Sequence, residues 1–373
     1  MTESTFTGTA ITINSPSKIK IEDFIVDYDT IRLEVLDNSV LDNISLLHIM
    51  NDKFFILDKR HTSIYIFSKD GKFLSKINDQ GNGPNEYVNI SSFELDFRNN
   101  CIILSDSFSR RIFIYDESGN QQKVIHLEFQ PATIVTQNEV FLNFYSGIKN
   151  LYDDPDMENY NLHRLDSLGN FISSAIFNET DRRINIASTT SICYKQDGTL
   201  LYQPVLGDTI YQVTGQGVKA YYTFIFSAFK QLNKKQKKNL EYLYDNKSND
   251  LLEKEKEGYL LSWGEILDLD DYLFLGFSGW DRKVYLYYSK QKCQSITVIP
   301  EQVQGNEALK QIFMSYPKAT YNDKFYISPH LMQLMEMKDD LPEGKLKTFA
   351  NNTNYDSNPA IISFSIKFPD EDE

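Results

Sequence analysis

Apolar and polar residues alternate along most of this chain in short runs broken by Gly, Asn and Asp. In "SIYIFSKDGKFL" (63–74) and "RIFIYDESGNQQ" (111–122) an alternating apolar run leads through a Gly-containing turn into a second run. Period-two alternation marks strands with one buried face. The pattern returns in "NLHRLDSLGNFI" from 161, "TIYQVTGQGVKA" from 209, "KVYLYYSKQKCQ" from 283 and "IISFSIKF" from 361. Taking Ile64, Ile112, Leu162, Ile210, Val284 and Ile362 as equivalent gives six copies with steps of 48, 50, 48, 74 and 78 residues.

Ahead of these runs lie further strand pairs with tight turns: "SLLHIMNDKFFILD" turning at Asn51-Asp52, "SFELDFRNNCIILSD" at Asn99-Asn100 and "SICYKQDGTLLYQ" at Asp197-Gly198. Four short antiparallel strands per period fit a propeller blade better than a solenoid coil. The pattern therefore predicts an all-β fold, a six-bladed β-propeller with four-stranded antiparallel blades, formed by residues 1–373 as a single domain. The last copy stops after its third strand, while "DFIVDYDTIRLEV" (23–35) is surplus ahead of the first. An N-terminal strand from within 18–36 is expected to pair beside 361–368 and close the ring, hiding an edge open to other chains. Residues 1–17 read as flexible.

The two long steps read as helical insertions in the last two blades, at about 228–257 and 329–350. In the first, Phe229, Leu232, Leu240 and Leu243 share a helical face, with Lys234, Lys235, Lys237 and Lys238 on a solvated one. In the second, Ser328 is the expected N-cap, Pro329 the first helical residue, and Leu331, Leu334 and Met335 the buried stripe.

In such a blade the first-to-second and third-to-fourth turns share one face of the disc, and here they are all short. The opposite face receives the second-to-third loops and the links between blades, which include every long segment. Loops on a rigid scaffold are where binding residues concentrate. On this long-loop face the candidates are Arg60 and His61, Arg110 and Arg111, and Trp280, Asp281 and Arg282. A loop-tip Trp stacks on sugar or aromatic rings, and Arg holds carboxylates. The competing reading is that the arginines tie blades together and the Trp fills a gap. The link "NDQGNGPNEY" (78–87) adds Glu86 and Tyr87. No helix follows it, so it is not a phosphate loop. Gly81, Gly83 and Pro84 shape the crossing between blades, and Glu86 and Tyr87 read first as fasteners.

Composition narrows the partners. With 25 Phe and 23 Tyr against 2 Trp, the chain suits pleated surfaces; with 38 basic and 52 acidic side chains, net −14, it repels nucleic acid. Cys101, Cys193 and Cys293 are far apart and read as buried small apolar residues. No membrane-length apolar run occurs, and "MTESTFTGTA" lacks signal-peptide character. Either the protein is cytoplasmic or its export signal has been removed. Among the histidines, His48, His126 and His163 lie in strand patterns and read as satisfied side chains, with His61 and His330 less firmly so. There is no HExxH, GxSxG, Walker or GxGxxG motif. Asp153, Asp154 and Asp156 have the oxygen ligands Ca²⁺ takes but lack a glycine-pivoted loop, so they read first as a solvated acidic loop. No cofactor and no metal site is predicted.

The stretch "FFILDKRHTSIYIFSKDGKFLSKINDQGNGPNEYVNISSFELD", with its G-x-GP-x-EY link, and the C-terminal "SNPAIISFSIKF" resemble the six-bladed β-propeller proteins of Bacteroides and relatives, themselves similar to NHL-repeat propellers. The resemblance runs from about residue 20 to 368. It implies an exported, envelope-anchored lipoprotein, although no lipobox cysteine is visible. It also implies a non-catalytic binding scaffold for a glycan, a peptide or another envelope protein, and the chain is expected to be monomeric. The NHL-type likeness carries the alternative of a lyase or hydrolase with a metal at the propeller axis.

Overall fold

In the computed structural model the six aligned positions, Ile64, Ile112, Leu162, Ile210, Val284 and Ile362, have one structural place. Each lies on the third strand of its sheet and is fully buried. The structure describes residues 8–137, 140–145, 157, 160–177, 191–195, 197–238, 250–279 and 282–368.

Blade 1 comprises Leu46–Met50, Lys53–Asp58, Ser63–Ser68 and Phe73–Ile77, and blade 2 Ser92–Asp96, Cys101–Asp106, Arg111–Asp116 and Gln121–His126. Blade 3 comprises Thr133–Gln137, Val140–Phe144, Tyr160–Leu165 and Phe171–Phe177, and blade 4 Ile192–Tyr194, Leu200–Tyr202, Thr209–Thr214 and Gly217–Phe226. Blade 5 comprises Leu261–Asp268, Tyr272–Gly279, Arg282–Ser289 and Gln294–Val298. Blade 6 takes Ala319–Tyr321, Lys324–Ile327 and Ile361–Ile366 from the C-terminal part and Ile25–Ile31 from the N-terminal part. That last strand runs antiparallel to Ile361–Ile366, with Ile25 opposite Ile366 and Ile31 opposite Ile361, which closes the ring. First strands of most neighbouring blades lie against one another, including those of blades 6 and 1, so they surround the axis.

Local chemistry explains the regularity. Asn51 and Asp52 take φ of 51° and 56°, as do Asn322 and Asp323 at 48° and 58°, the left-handed pair that a two-residue hairpin turn requires. At the ends of second strands, the buried Asp58 and Asp106 cap the loops that follow and clamp the incoming link, accepting from the backbone N–H of Asp42 and Val88 at 2.7 and 2.8 Å. Third-to-fourth turns repeat an Asp-x-x-Gly-Asn device: Asp116 accepts from Ser118 and Asn120 N–H, and Asp166 from Leu168 and Asn170 N–H. The glycine of that turn abuts the preceding blade. A Cβ on Gly119 would lie 3.1 Å from Ile77, and one on Gly71 2.1 Å from the Arg32 carbonyl oxygen. Apolar clusters fill the wedges between blades, such as Phe55, Ile64 and Ile66 of blade 1 against Phe93, Ile102 and Phe113 of blade 2.

Four readings are corrected. Thr9–Ile13, placed by sequence in a flexible leader, form a fifth strand on blade 4, parallel to Tyr222–Phe226. Ile11 and Ile13 are buried there, and that burial holds the strand. The blade 6 insertion, with helices Leu331–Glu336 and Lys345–Asn351, is capped by His330 rather than Ser328; its ring nitrogen accepts from Met332 N–H at 3.3 Å. Of the expected stripe Leu331, Leu334 and Met335 only Leu334 is buried, and Leu341, Leu346 and Ala350 complete the buried face of the insertion. Ahead of blade 5 the helices are Lys234–Lys238 and Asp250–Lys256, and Lys237 is buried, not solvated. Leu240 and Leu243 lie outside the described residues. Among the cysteines only Cys193 is buried; Cys101 is half-buried and Cys293 exposed at a turn. A further helix, Glu307–Phe313, occupies the link into blade 6, with Asn306 as its N-cap.

Candidate functional site

Ionisable side chains meet on the propeller axis. His48 and Glu94 each lie three residues beyond a serine, Ser45 and Ser91, whose N–H donates to the adjacent strand at 2.9 Å in both blades, so the two hold equivalent registers in blades 1 and 2. Lys318 precedes the first strand of blade 6. With Leu47, Ile192 and Leu267 among the apolar lining, these three groups enclose a chamber of about 70 Å³.

His48 Nε2 stands 3.6 Å from Glu94 Oε2, beyond hydrogen-bond length, and the imidazole meets the Phe93 ring edge-on at 4.7 Å. Burial pushes the Glu94 carboxyl up to about 8. Burial likewise pulls His48 down to about 4, against the opposing effect of a hydrogen bond to the Phe93 backbone. At pH 7 both are therefore neutral, and their contact is not a salt bridge. Desolvation also lowers the Lys318 ammonium, which has no carboxylate at ion-pair distance among the described residues. A cluster of such shifts marks a functional-site candidate.

The chamber continues through Ile49, Cys193, Tyr194 and Thr320 into a mouth of about 300 Å³ on the short-turn face. First-to-second turns of four blades build it. Phe97, Tyr194 and Tyr321 supply aromatic wall, and Asp197, Asp268, Asp270 and Asp323 supply carboxylates around Lys195. Lys195 Nζ lies 2.9 Å from Asp270 Oδ1 and 3.7 Å from Asp268 Oδ2, and Lys290 Nζ is 2.6 Å from Asp268 Oδ1. The Lys195 hydrogen bond holds Asp270 below the usual carboxylate range, whereas burial raises Asp268. Asp323 accepts from Asp270 and Asp271 N–H at 3.1 and 3.3 Å, joining blades 6 and 5. Four carboxylates against Lys195 and Lys290 leave the mouth acidic. Cys193 is no nucleophile here: its sulfur accepts from Asp268 N–H at 3.3 Å, and burial pushes the thiol up to about 12.

A third cavity, about 480 Å³, lies between blades 2 and 3 beside Arg98, Lys123, Ile114 and Phe141, and shares Tyr194 with the mouth. The described long-loop candidates line none of these three cavities. Arg60 Nη1 reaches Asp42 Oδ1 at 2.5 Å, and His61 Nδ1 lies 2.7 Å from Asp58 Oδ2. Gly83, Pro84, Glu86, Tyr87 and Arg111 do come together. Arg111 Nη1 donates to the Gly83 and Pro84 carbonyls at 3.0 and 2.9 Å, and Glu86 Oε2 accepts from Gly83 N–H at 2.8 Å. Tyr87 is buried and donates to the Thr62 carbonyl at 3.0 Å. Gly81 packs against Glu86, where a Cβ would lie 2.0 Å from Oε2. Arg110, at φ 56°, donates to the Glu128 carbonyl at 3.4 Å. Arg282 is exposed at the start of its strand, while Trp280, Asp281 and the acidic Asp153, Asp154 and Asp156 lie outside the described residues. Among the described residues no three His, Cys, Asp or Glu side chains stand close enough to hold a metal ion.

Sequence reasoning read His48 as an ordinary strand residue and passed over Glu94 and Lys318. The available signal was a polar residue at one inward register of first strands in two adjacent blades, "SLLH" (45–48) and "SSFE" (91–94).

Fold and axis together define a six-bladed β-propeller with an ionisable central channel. The chain belongs to the family described as Domain of unknown function (DUF4934), whose model matches residues 8–365. No curated protein matches it. Among solved structures it is similar to a Bacteroides fragilis protein inferred to be exported, with TM-score 0.78 and 19% identity over 96% of this chain and 100% of that one. It is also similar to a DUF4221 family member from Bacteroides vulgatus, with TM-score 0.57 and 12% identity over 92% and 98%. At these identities the likeness speaks for the fold.

Proposed function

We propose that the protein is a non-catalytic binding scaffold of the bacterial cell envelope, and that its ligand, a peptide or glycan bearing a protonated amine, enters the axial mouth on the short-turn face. The carrying observation is the mouth itself, a concave, aromatic-walled site with an excess of carboxylate. Pockets that combine apolar wall with a few convergent polar groups are the usual ligand sites of a fold. An ammonium gains there from both the carboxylates and the aromatic faces. The similarity to an exported Bacteroides protein supports the envelope setting. Among the described residues no helix is long and apolar enough to cross a membrane.

The test is a peptide and glycan array followed by calorimetry on the hits. The Asp270 side chain is 84% exposed, so Asp270→Asn leaves the fold intact. It is expected to weaken amine-bearing ligands about fivefold or more, roughly 1 kcal/mol, and added salt is expected to weaken them further. Arg60→Ala, on the opposite face, leaves binding unchanged. Hits that respond to Arg60→Ala and not to Asp270→Asn would place the site on the long-loop face.

A further inference from the structure

We infer that the axial chamber is an anion subsite, in which Lys318 and Glu94 receive the carboxylate of a zwitterionic ligand whose amine rests in the acidic mouth. This deepens the axial-mouth reading and rests on it for the amine end alone. The Lys318 amine lines this chamber with no carboxylate at ion-pair distance among the described residues, and a polar group taken out of water without a partner is costly. Among the described residues Glu94, 7% exposed, makes no hydrogen bond, its contact to His48 Nε2 being 3.6 Å long. A buried polar group without a partner calls for an explanation. An arriving carboxylate answers both: it pairs with the Lys318 ammonium and accepts a hydrogen bond from the protonated Glu94.

The arrangement along the axis sets the ligand's polarity. Thr320 lines both the chamber and the mouth. At the strand rise of about 3.3 Å per residue, Lys318 lies roughly 7 Å deeper than Thr320, while Asp323 stands in the two-residue turn that ends this strand at the mouth. A ligand entering the mouth therefore meets carboxylates first and an ammonium last. Opposite charges at its two ends satisfy both, which selects a short peptide or an ω-amino acid over a diamine or a dicarboxylate. The chamber, about 70 Å³, admits a carboxylate group and excludes a ring.

His48 is the built-in reporter, because its Nε2 has no hydrogen-bond partner and faces the same space. The probe is acetate alone, titrated into the full chain while the His48 ring is followed by NMR. The resonance is assigned by its loss in His48→Gln. The expected result is a saturable shift in the wild type. Affinity is expected to fall at least about tenfold in Lys318→Met and to stay within about threefold in Lys318→Arg, which keeps the charge. Asp270→Asn, which tests the mouth, leaves acetate affinity unchanged or raised, so failure of the chamber and failure of the mouth are told apart. Absence of a saturable shift in the wild type overturns the inference. So does acetate affinity that Lys318→Met leaves unaltered.

Discussion

At the scale of single residues, Glu94 and His48 tie stability to pH in opposite directions. Glu94 titrates near 8 in the fold against an ordinary 4.5, so between those values the folded chain holds a proton the unfolded chain has released, and stability falls as pH rises. His48 titrates near 4 against an ordinary 6.5, so stability rises with pH across that window. The two slopes offset each other from about 4.5 to 6.5 and leave the Glu94 decline from about 6.5 to 8. At about 1.4 kcal/mol per pH unit and proton, the wild type loses on the order of 2 kcal/mol across that last window. Urea unfolding at a series of pH values is expected to show this decline, and Glu94→Gln to flatten it. Little of this was legible from sequence. His48 and Glu94 sit in ordinary strand patterns whose shared register is the only hint, and only ring closure brings the distant Lys318 to the chamber they line.

At the scale of elements, the chain's punctuation was legible, because turn chemistry is local. Asn51-Asp52, Asn99-Asn100 and Asp197-Gly198 turn where their residue types demand. How turns pack between blades is a tertiary matter and was not. Gly71 and Gly198 share a left-handed φ of 83° and 86°, yet a Cβ on Gly71 meets the Arg32 carbonyl oxygen at 2.1 Å while one on Gly198 meets nothing within 4 Å. Gly198→Ala is expected to cost only its backbone strain, about 1 kcal/mol. Gly71→Ala must also displace the last strand of blade 6, and is expected to cost roughly 3 kcal/mol or more. Denaturant midpoints of the two variants check the difference.

At the scale of the whole molecule, the six-fold repeat was legible because each copy buries the same third-strand position. The strap formed by the first residues was less so. It pairs Thr9–Ile13 with blade 4, passes blade 5 through the Ser17 N–H bond to the Thr297 carbonyl at 2.8 Å, and completes blade 6 with Ile25–Ile31. "TAITI" is too short to separate from a polar leader by periodicity. Deleting residues 1–14 removes two buried isoleucines, Ile11 and Ile13, worth about 3–6 kcal/mol as an upper bound. A melting temperature lower by roughly 4–8 °C is expected for a ring that still closes. Deleting residues 1–36 leaves Ile361–Ile366 as an open edge, and size-exclusion chromatography is expected to show aggregates.

That strap also sets an order in time. Ile31 finds Ile361 only after the five blades between them have been made, so the sixth blade is the last that can be completed. Until then the nascent chain is a row of blades with two loose ends and no closed ring. A ring closed by residues so far apart in sequence gains its sixth blade only when both of those segments are present together.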